Sequence, residues 1–163
     1  MKYIFFALLP FLSITSFGQV DPGCFVEKDF LIIKSTKDYY EALRLAQEAS
    51  KTFDIKINLR GYTADKDTMI GLQLTRDLND SIKNSNEPQY DTTYFPRGRW
   101  DDGIYISIEY TKGSDNFLNG YYIVVAGSGP KKDPQVAKTL KKVETKYSDA
   151  YIKRSKVYMC CMH

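Results

Sequence analysis

Two stretches of this chain follow the same plan, and that repetition limits the folds open to it. The first runs Phe30-Leu31-Ile32-Ile33-Lys34-Ser35-Thr36, then a helix-forming stretch, then Asp54-Ile55-Lys56-Ile57. The second runs Tyr122-Ile123-Val124-Val125-Ala126-Gly127-Ser128, a helix-forming stretch, then Asp149-Ala150-Tyr151-Ile152. Each half reads as strand, small-residue turn, helix, strand. A helix with one apolar stripe and a sheet with one apolar face must cover each other. Two such halves predict an α+β fold: a βαββαβ-type, mainly antiparallel sheet with two helices on one face.

The local signals agree with that plan. Asp38 and Glu41 stand at capping-box spacing. Behind them Tyr39, Ala42, Leu43, Ala46, Ala49 and Phe53 recur at helical spacing. Asp133 is placed to cap the second helix, with Pro134 at its first position, where a missing N–H is harmless. Val136, Ala137, Leu140, Val143 and Tyr147 form its stripe, and Lys138, Lys141, Lys142 and Glu144 its solvated side. Ile55, Ile57 and Leu59 alternate with Lys56, Asn58 and Arg60. Ile104, Ile106 and Ile108 alternate with Tyr105, Ser107 and Glu109. Such alternation predicts a sheet covered on one face. Asn119-Gly120 supplies a turn into the Tyr122 strand, which pairs with the Ile104 strand. The predicted core is Leu31, Ile33, Leu43, Ala46, Ile55, Ile57, Ile104, Ile106, Ile123, Val125, Leu140 and Ile152.

Between the halves, residues 62–103 read as an insertion in one domain, because they hold too few apolar residues for a core of their own. Met69, Leu72, Leu78 and Ile82 give the stretch from Asp67 to Ile82 a weak helical spacing, and Asn84 to Asp102 reads as loop. Val157 to His163 reads as an extra C-terminal strand at a sheet edge. At the start, Lys2, the apolar run Tyr3 to Leu12 and the Ser16-Phe17-Gly18 junction before Gln19 have the layout of a signal peptide spanning 1–18. The run is shorter than the roughly 20 residues a spanning helix needs. Residues 19–163 are then a single exported domain, periplasmic or extracellular, with no transmembrane segment in the mature chain.

Cys24, Cys160 and Cys161 lie beyond that leader, and an exported chain meets oxidising conditions. Cys24 is expected to bridge Cys160 or Cys161, with Cys161 preferred. The single histidine, His163, is the last residue. The usual Ser–His and Cys–His pairs are therefore absent, as are zinc and Walker signatures. Asp101 and Asp102 are adjacent, so their side chains diverge and make a poor acid–base pair. The expectation is no enzyme, no cofactor and no metal. A net charge of +3 is too small to argue for nucleic acid.

Tyr122–Ser128 resembles the opening strand and Gly-Ser turn of the SPOR (sporulation-related repeat) domain, and Tyr147-Ser148-Asp149-Ala150-Tyr151-Ile152 resembles that family's closing helix end and last strand. The resemblance implies an exported bacterial protein of the envelope that binds peptidoglycan glycan strands on an open sheet face. The long insertion, Val124 in place of the family's frequent strand glutamine, and the C-terminal cysteines depart from its pattern. Alternation independently places Lys34, Lys56, Arg60, Tyr105, Tyr122, Tyr151 and Lys153 away from the helices, and Arg97, Arg99 and Trp100 can rim that face. Tyrosine rings stack on sugars and guanidinium forks hold carboxylates. The expected function is a non-catalytic envelope binding module for cell-wall glycan. The alternative is a protein-interaction module, such as an assembly factor or an inhibitor of another exported protein. A bare tyrosine-rich basic face favours the first; a covered face with an exposed apolar edge favours the second.

Overall fold

The computed structural model describes residues 22–65, 71–75, 94, 96–112 and 116–160. The proposed leader 1–18 lies outside them, as do Cys161 and His163 and most of the stretch from Asp67 to Ile82. A short 3-10 turn, Pro22–Cys24, leads into β1 (Phe25–Thr36), followed by α1 (Tyr39–Phe53), β2 (Tyr62–Ala64), β3 (Leu72–Leu74), β4 (Ser107–Tyr110), β5 (Tyr122–Pro130), α2 (Pro134–Val143) and β6 (Tyr151–Tyr158). Four strands form one sheet in the order β4-β5-β1-β6, and β2 and β3 form a separate hairpin. Every pairing between these strands is antiparallel. The halves β1-α1-β4 and β5-α2-β6 therefore interleave in one α+β sheet.

Both helices start where the sequence provides a cap. Asp38 accepts the Tyr40 N–H at 2.8 Å. Glu41 does not reach back to the Asp38 N–H; Thr36 relays instead, its hydroxyl accepting from Asp38 N–H and donating to Glu41. Asp133 accepts from the Gln135 and Val136 N–H groups, with Pro134 opening α2. The two helices lie on one face. Their buried residues Ala42, Leu45, Ala46, Ala49, Phe53, Val136 and Val143 meet Leu31, Ile33, Ile106, Ile108, Tyr110, Tyr122, Val124 and Ala126 in the main core. Leu43, Leu140, Ile57, Ile104 and Ile152 are only partly buried at its margin.

Three placements differ from the sequence reading. Ile123 and Val125 face away from the helices, in a second cluster with Phe30 and Ile32, and Tyr122 and Val124 take the helix side. β5 is buried on both faces and apolar throughout its first half, so its parity had no sequence signature. Two irregularities in the β1–β5 register, around Ile32, also shift parity. Ile55 to Leu59 is not a strand. It makes one parallel bridge, Ile57 with Ile106, then turns through Arg60 at φ +59° and Gly61 at φ +75°. Leu72, read as helical, lies in strand β3. Val157 and Tyr158 are not a separate extra strand but the end of β6, which runs from Tyr151 and is an edge strand among the described residues.

The disulfide joins Cys24 to Cys160, not Cys161, with Cα atoms 5.2 Å apart. β6 fixes this choice. Phe25 pairs with Tyr158, and the Met159 N–H donates to the Cys24 carbonyl at 2.7 Å, carrying Cys160 alongside Cys24. A slip of one residue would exchange the two cysteines between faces, so only register decides.

Two measurements follow. Non-reducing peptide mapping should recover a Cys24–Cys160 linked pair, and Cys160→Ser should lower unfolding free energy by about 4–5 kcal/mol, since the bridge closes a 136-residue separation. Ile33→Ala, at a fully buried position of the main core, should lower stability by about 2–5 kcal/mol in denaturant titration.

Candidate functional site

The sheet face opposite the helices is closed by the chain itself. The segment from Arg97 to Tyr105 folds across it, and Phe117 packs on the Phe30, Ile32, Ile123 and Val125 cluster. Arg97 is its centre, with 1% of its surface exposed. Its Nε donates to the Ser128 hydroxyl at 3.0 Å. Its Nη1 donates to the Tyr105 carbonyl at 2.8 Å, the Ser107 hydroxyl at 3.1 Å and the Val125 carbonyl at 3.3 Å, and its Nη2 to the Gly103 carbonyl at 2.6 Å. Its guanidinium also lies 3.5 Å from the centre of the Tyr105 ring. Gly98 makes this approach possible. It sits at φ +100°, and a Cβ there would come within 2.9 Å of Phe30 Cζ.

Charge around Arg97 is balanced by a second arginine and two carboxylates. Arg60 pairs with Asp101 at 2.6 Å and Glu109 at 2.9 Å. Glu109 Oε2 also accepts from the Tyr94 hydroxyl and the Arg97 N–H. Burial lowers the Arg97 pKa from its ordinary value. Burial also works to raise the Asp101 carboxyl, but Arg60, the Gly98 N–H and the Tyr105 hydroxyl outweigh it, and the group sits below its ordinary value. Burial pushes the Tyr105 phenol up, and burial with Glu109 does the same for Tyr94. Asp102 turns the other way, to Lys28. The two adjacent aspartates diverge, and Asp101 and Glu109 are both held by one arginine.

The ten residues read as a ligand face are dispersed. Arg97 and Arg99 are buried, and Arg60 and Tyr105 are half-buried within the network just described. Tyr122 is buried on the helix side, its hydroxyl donating to the Gly71 carbonyl at 3.0 Å. Lys34 is exposed and pairs with Asp149, and Lys56 is exposed beside the Ile57 bridge. Tyr151 and Lys153 do share the face turned from the helices, opposite Ile32 and Phe30 on β1. Lys153 lies 5.0 Å from the Phe117 ring centre. Trp100 is 76% exposed.

A different grouping emerges at the disulfide end of β1 and β6. The Arg99 guanidinium lies 4.1 Å from the Trp100 ring centre and 5.7 Å from that of Tyr158, and Tyr158 meets Phe25 edge-on at 5.4 Å. Arg99 also donates to the Cys160 carbonyl. Phe25 and Val26 remain 42% and 41% exposed. Tyr94, Ser128, Phe25 and Tyr158 are not among the residues the sequence marks as a site. Each is a single residue whose partner lies far along the chain, and spacing carries no signal for that. Among the described residues no cluster of histidine, cysteine and carboxylates has the makings of a metal site, and no helix is long and apolar enough to cross a membrane.

No family model matches the chain, and neither do the curated proteins or the solved structures compared with it.

Arg97→Met should lower stability by about 3 kcal/mol or more, because it removes the donors that bind two buried hydroxyls and three carbonyls. Trp100→Ala should change it by less than about 0.5 kcal/mol, as an exposed site does. Denaturant midpoints of the two variants compare them directly. Because the Asp101 pKa is depressed on folding, its contribution is present above the unfolded carboxylate range and lost as pH falls through the folded value. Asp101→Asn should therefore flatten the acid limb of a stability-versus-pH curve below about pH 4, while the slope from Asp29, also depressed by Arg154 and Lys132 against the effect of burial, remains.

Proposed function

We propose that this chain is an exported, non-catalytic interaction module whose ligand is another protein of the cell envelope. One observation carries the reading. The face that would hold a polymer is filled by the chain's own arginine layer, and apolar surface is left outside at the β1–β6 edge, on Phe25, Val26, Tyr151 and Trp100. Scattered apolar residues are ordinary on a protein surface. Phe25, Val26 and Trp100 lie at the disulfide end of this edge and Tyr151 at its other end, and apolar surface strung along an edge is one a partner can use. The Cys24–Cys160 bridge suits an oxidising compartment and supports export. Asp101 and Glu109, both engaged by Arg60, are poorly placed for acid–base work, which supports a binding role over a catalytic one.

Glycan binding is the second reading, favoured by the Trp100 indole. It is exposed, held against the Arg99 guanidinium and continuous with Tyr158, which makes it a flat platform for a sugar ring. The interleaved βαββαβ frame supports the likeness to the SPOR domain. Tyr105 and Tyr122 lie on opposite sides of the sheet and offer that ligand no shared platform.

A photo-crosslinking residue at position 151 or 100, in cells exporting the protein, should give discrete protein adducts, and the same residue at Lys141 on the solvated side of α2 should give none. Cosedimentation with purified peptidoglycan that Trp100→Ala abolishes, with no adduct from positions 151 and 100, would reverse the order of the two readings.

A further inference from the structure

The two edges of the four-stranded sheet are not alike. Beyond β4, the chain from Lys56 to Asn58 closes the edge: the Asn58 N–H donates to the Ile106 carbonyl at 2.8 Å and the Ile106 N–H to the Lys56 carbonyl at 2.9 Å. Beyond β6, no strand is paired among the described residues. The ladder fixes which groups face outward there. The Met159 N–H points at Cys24, so by the alternation of an antiparallel pair the backbone groups of Val157 and Lys153 also point at β1. Those of Ile152, Arg154, Lys156 and Tyr158 point away, a row of four residues with donors and acceptors spaced for another strand.

The side chains of β6 decide what can approach. Tyr151-Ile152-Lys153-Arg154-Ser155-Lys156-Val157-Tyr158 carries three cations and no acid. Among the described residues only Arg154 is matched by an ion-paired carboxylate, Asp29, through 2.7 and 3.0 Å contacts. Glu27, opposite Lys156 on β1, is held by Lys131 at 2.6 Å. Such cations guard an edge against its own kind. Were two copies to pair β6 with β6 about Ser155, Arg154 of each would stand opposite Lys156 of the other, and like charges directly opposite are destabilising. The same cations attract a strand of the opposite sign.

Resting on the protein-partner reading above, we propose that β6 takes an extended acidic segment of the partner as an added strand. The partner's backbone would pair with the outward groups of Ile152, Arg154, Lys156 and Tyr158. Its carboxylates would meet Arg154 and Lys156 on one face of the strand, and its apolar side chains would cover Tyr151 on the other, the face turned from the helices. Backbone pairing gives such a complex its affinity, and charge its choice of partner and its on-rate.

The test uses the purified, disulfide-intact protein and a short synthetic peptide alternating glutamate with valine. The peptide should bind, weaken with added salt, and slow amide hydrogen exchange at Ile152, Arg154 and Lys156 while leaving β5 unchanged. A counterpart with lysine for glutamate should not bind. Lys156→Pro, which deletes an outward N–H, and Lys156→Glu should each weaken binding by about tenfold or more. Lys156→Glu leaves the backbone intact, so it reports on charge even if the proline variant fails to fold. No protection of β6 by the acidic peptide, equal binding of both peptides, or concentration-dependent dimerisation through β6 would overturn strand addition. Loss of the position-151 and position-100 adducts would instead strike at the protein-partner reading itself, so the two failures are told apart.

Discussion

A guanidinium with almost no contact with water sits on the far side of this sheet, and much of the structure is arranged around it. An arginine cannot shed its charge at ordinary pH, so burial is tolerated only where its donors are answered and its charge is offset. Arg97 meets both conditions: hydroxyls and carbonyls from β4, β5 and its own loop take its donors, and Glu109 and Asp101 lie close by, held through Arg60. The arrangement ties three distant parts of the chain together: the turn after α1 that carries Arg60, the loop from Arg97 to Tyr105, and the strand pair β4–β5. The positive φ at Arg60 and at Gly98 is the backbone's accommodation to that requirement.

That closure governs what the molecule can offer to others. A sheet with helices on one face and an arginine layer over much of the other leaves its unpaired backbone donors and acceptors at the edges. Among the described residues one edge is met at Ile106 by Lys56 to Asn58, and the other, β6, is guarded by cations. Beside that edge the disulfide fastens the start of β1 to the end of β6, and Arg99, bonded to the Cys160 carbonyl, carries the Trp100 indole outward. The proposed interaction surface is thus a consequence of where the fold runs out of cover. It borrows rigidity from the unbroken ladder of β1 and β6, which pairs Phe25 to Ile32 with Tyr158 to Tyr151.

Sequence and structure agree where the determining interactions are local. Asp38 and Asp133 cap helices because an acceptor one or two residues before the first turn finds free N–H groups whatever the rest of the chain does. The repeated strand–helix–strand plan fixed the number of layers on the helix side, and the alternation of Ile104, Ile106 and Ile108 placed those residues toward the helices. Agreement ends where a residue's environment is set by something distant. Tyr122 and Ile123 are both apolar enough for either face of β5, and the irregularities near Ile32 that settle their parity leave no mark in composition. Arg97 and Arg99 read as ligand-binding surface because arginine in a polar loop is usually solvated; nothing nearby in sequence shows that Ser107 and Ser128 await one of them.

By itself, then, the sequence determined the α+β class, the two capped amphipathic helices, and the pairing of the Ile104 and Tyr122 strands. These depend on periodicity and on groups a few residues apart, which any compact state of the chain must satisfy. Only the tertiary structure decided that Cys160 and not Cys161 meets Cys24, that an arginine layer fills much of the second sheet face, and that β6 is the edge with no strand beyond it among the described residues. Each of these turns on the register of strands more than a hundred residues apart, or on the burial of one charge among partners brought from three segments. A one-residue difference in register reverses the answer, and no local pattern encodes it.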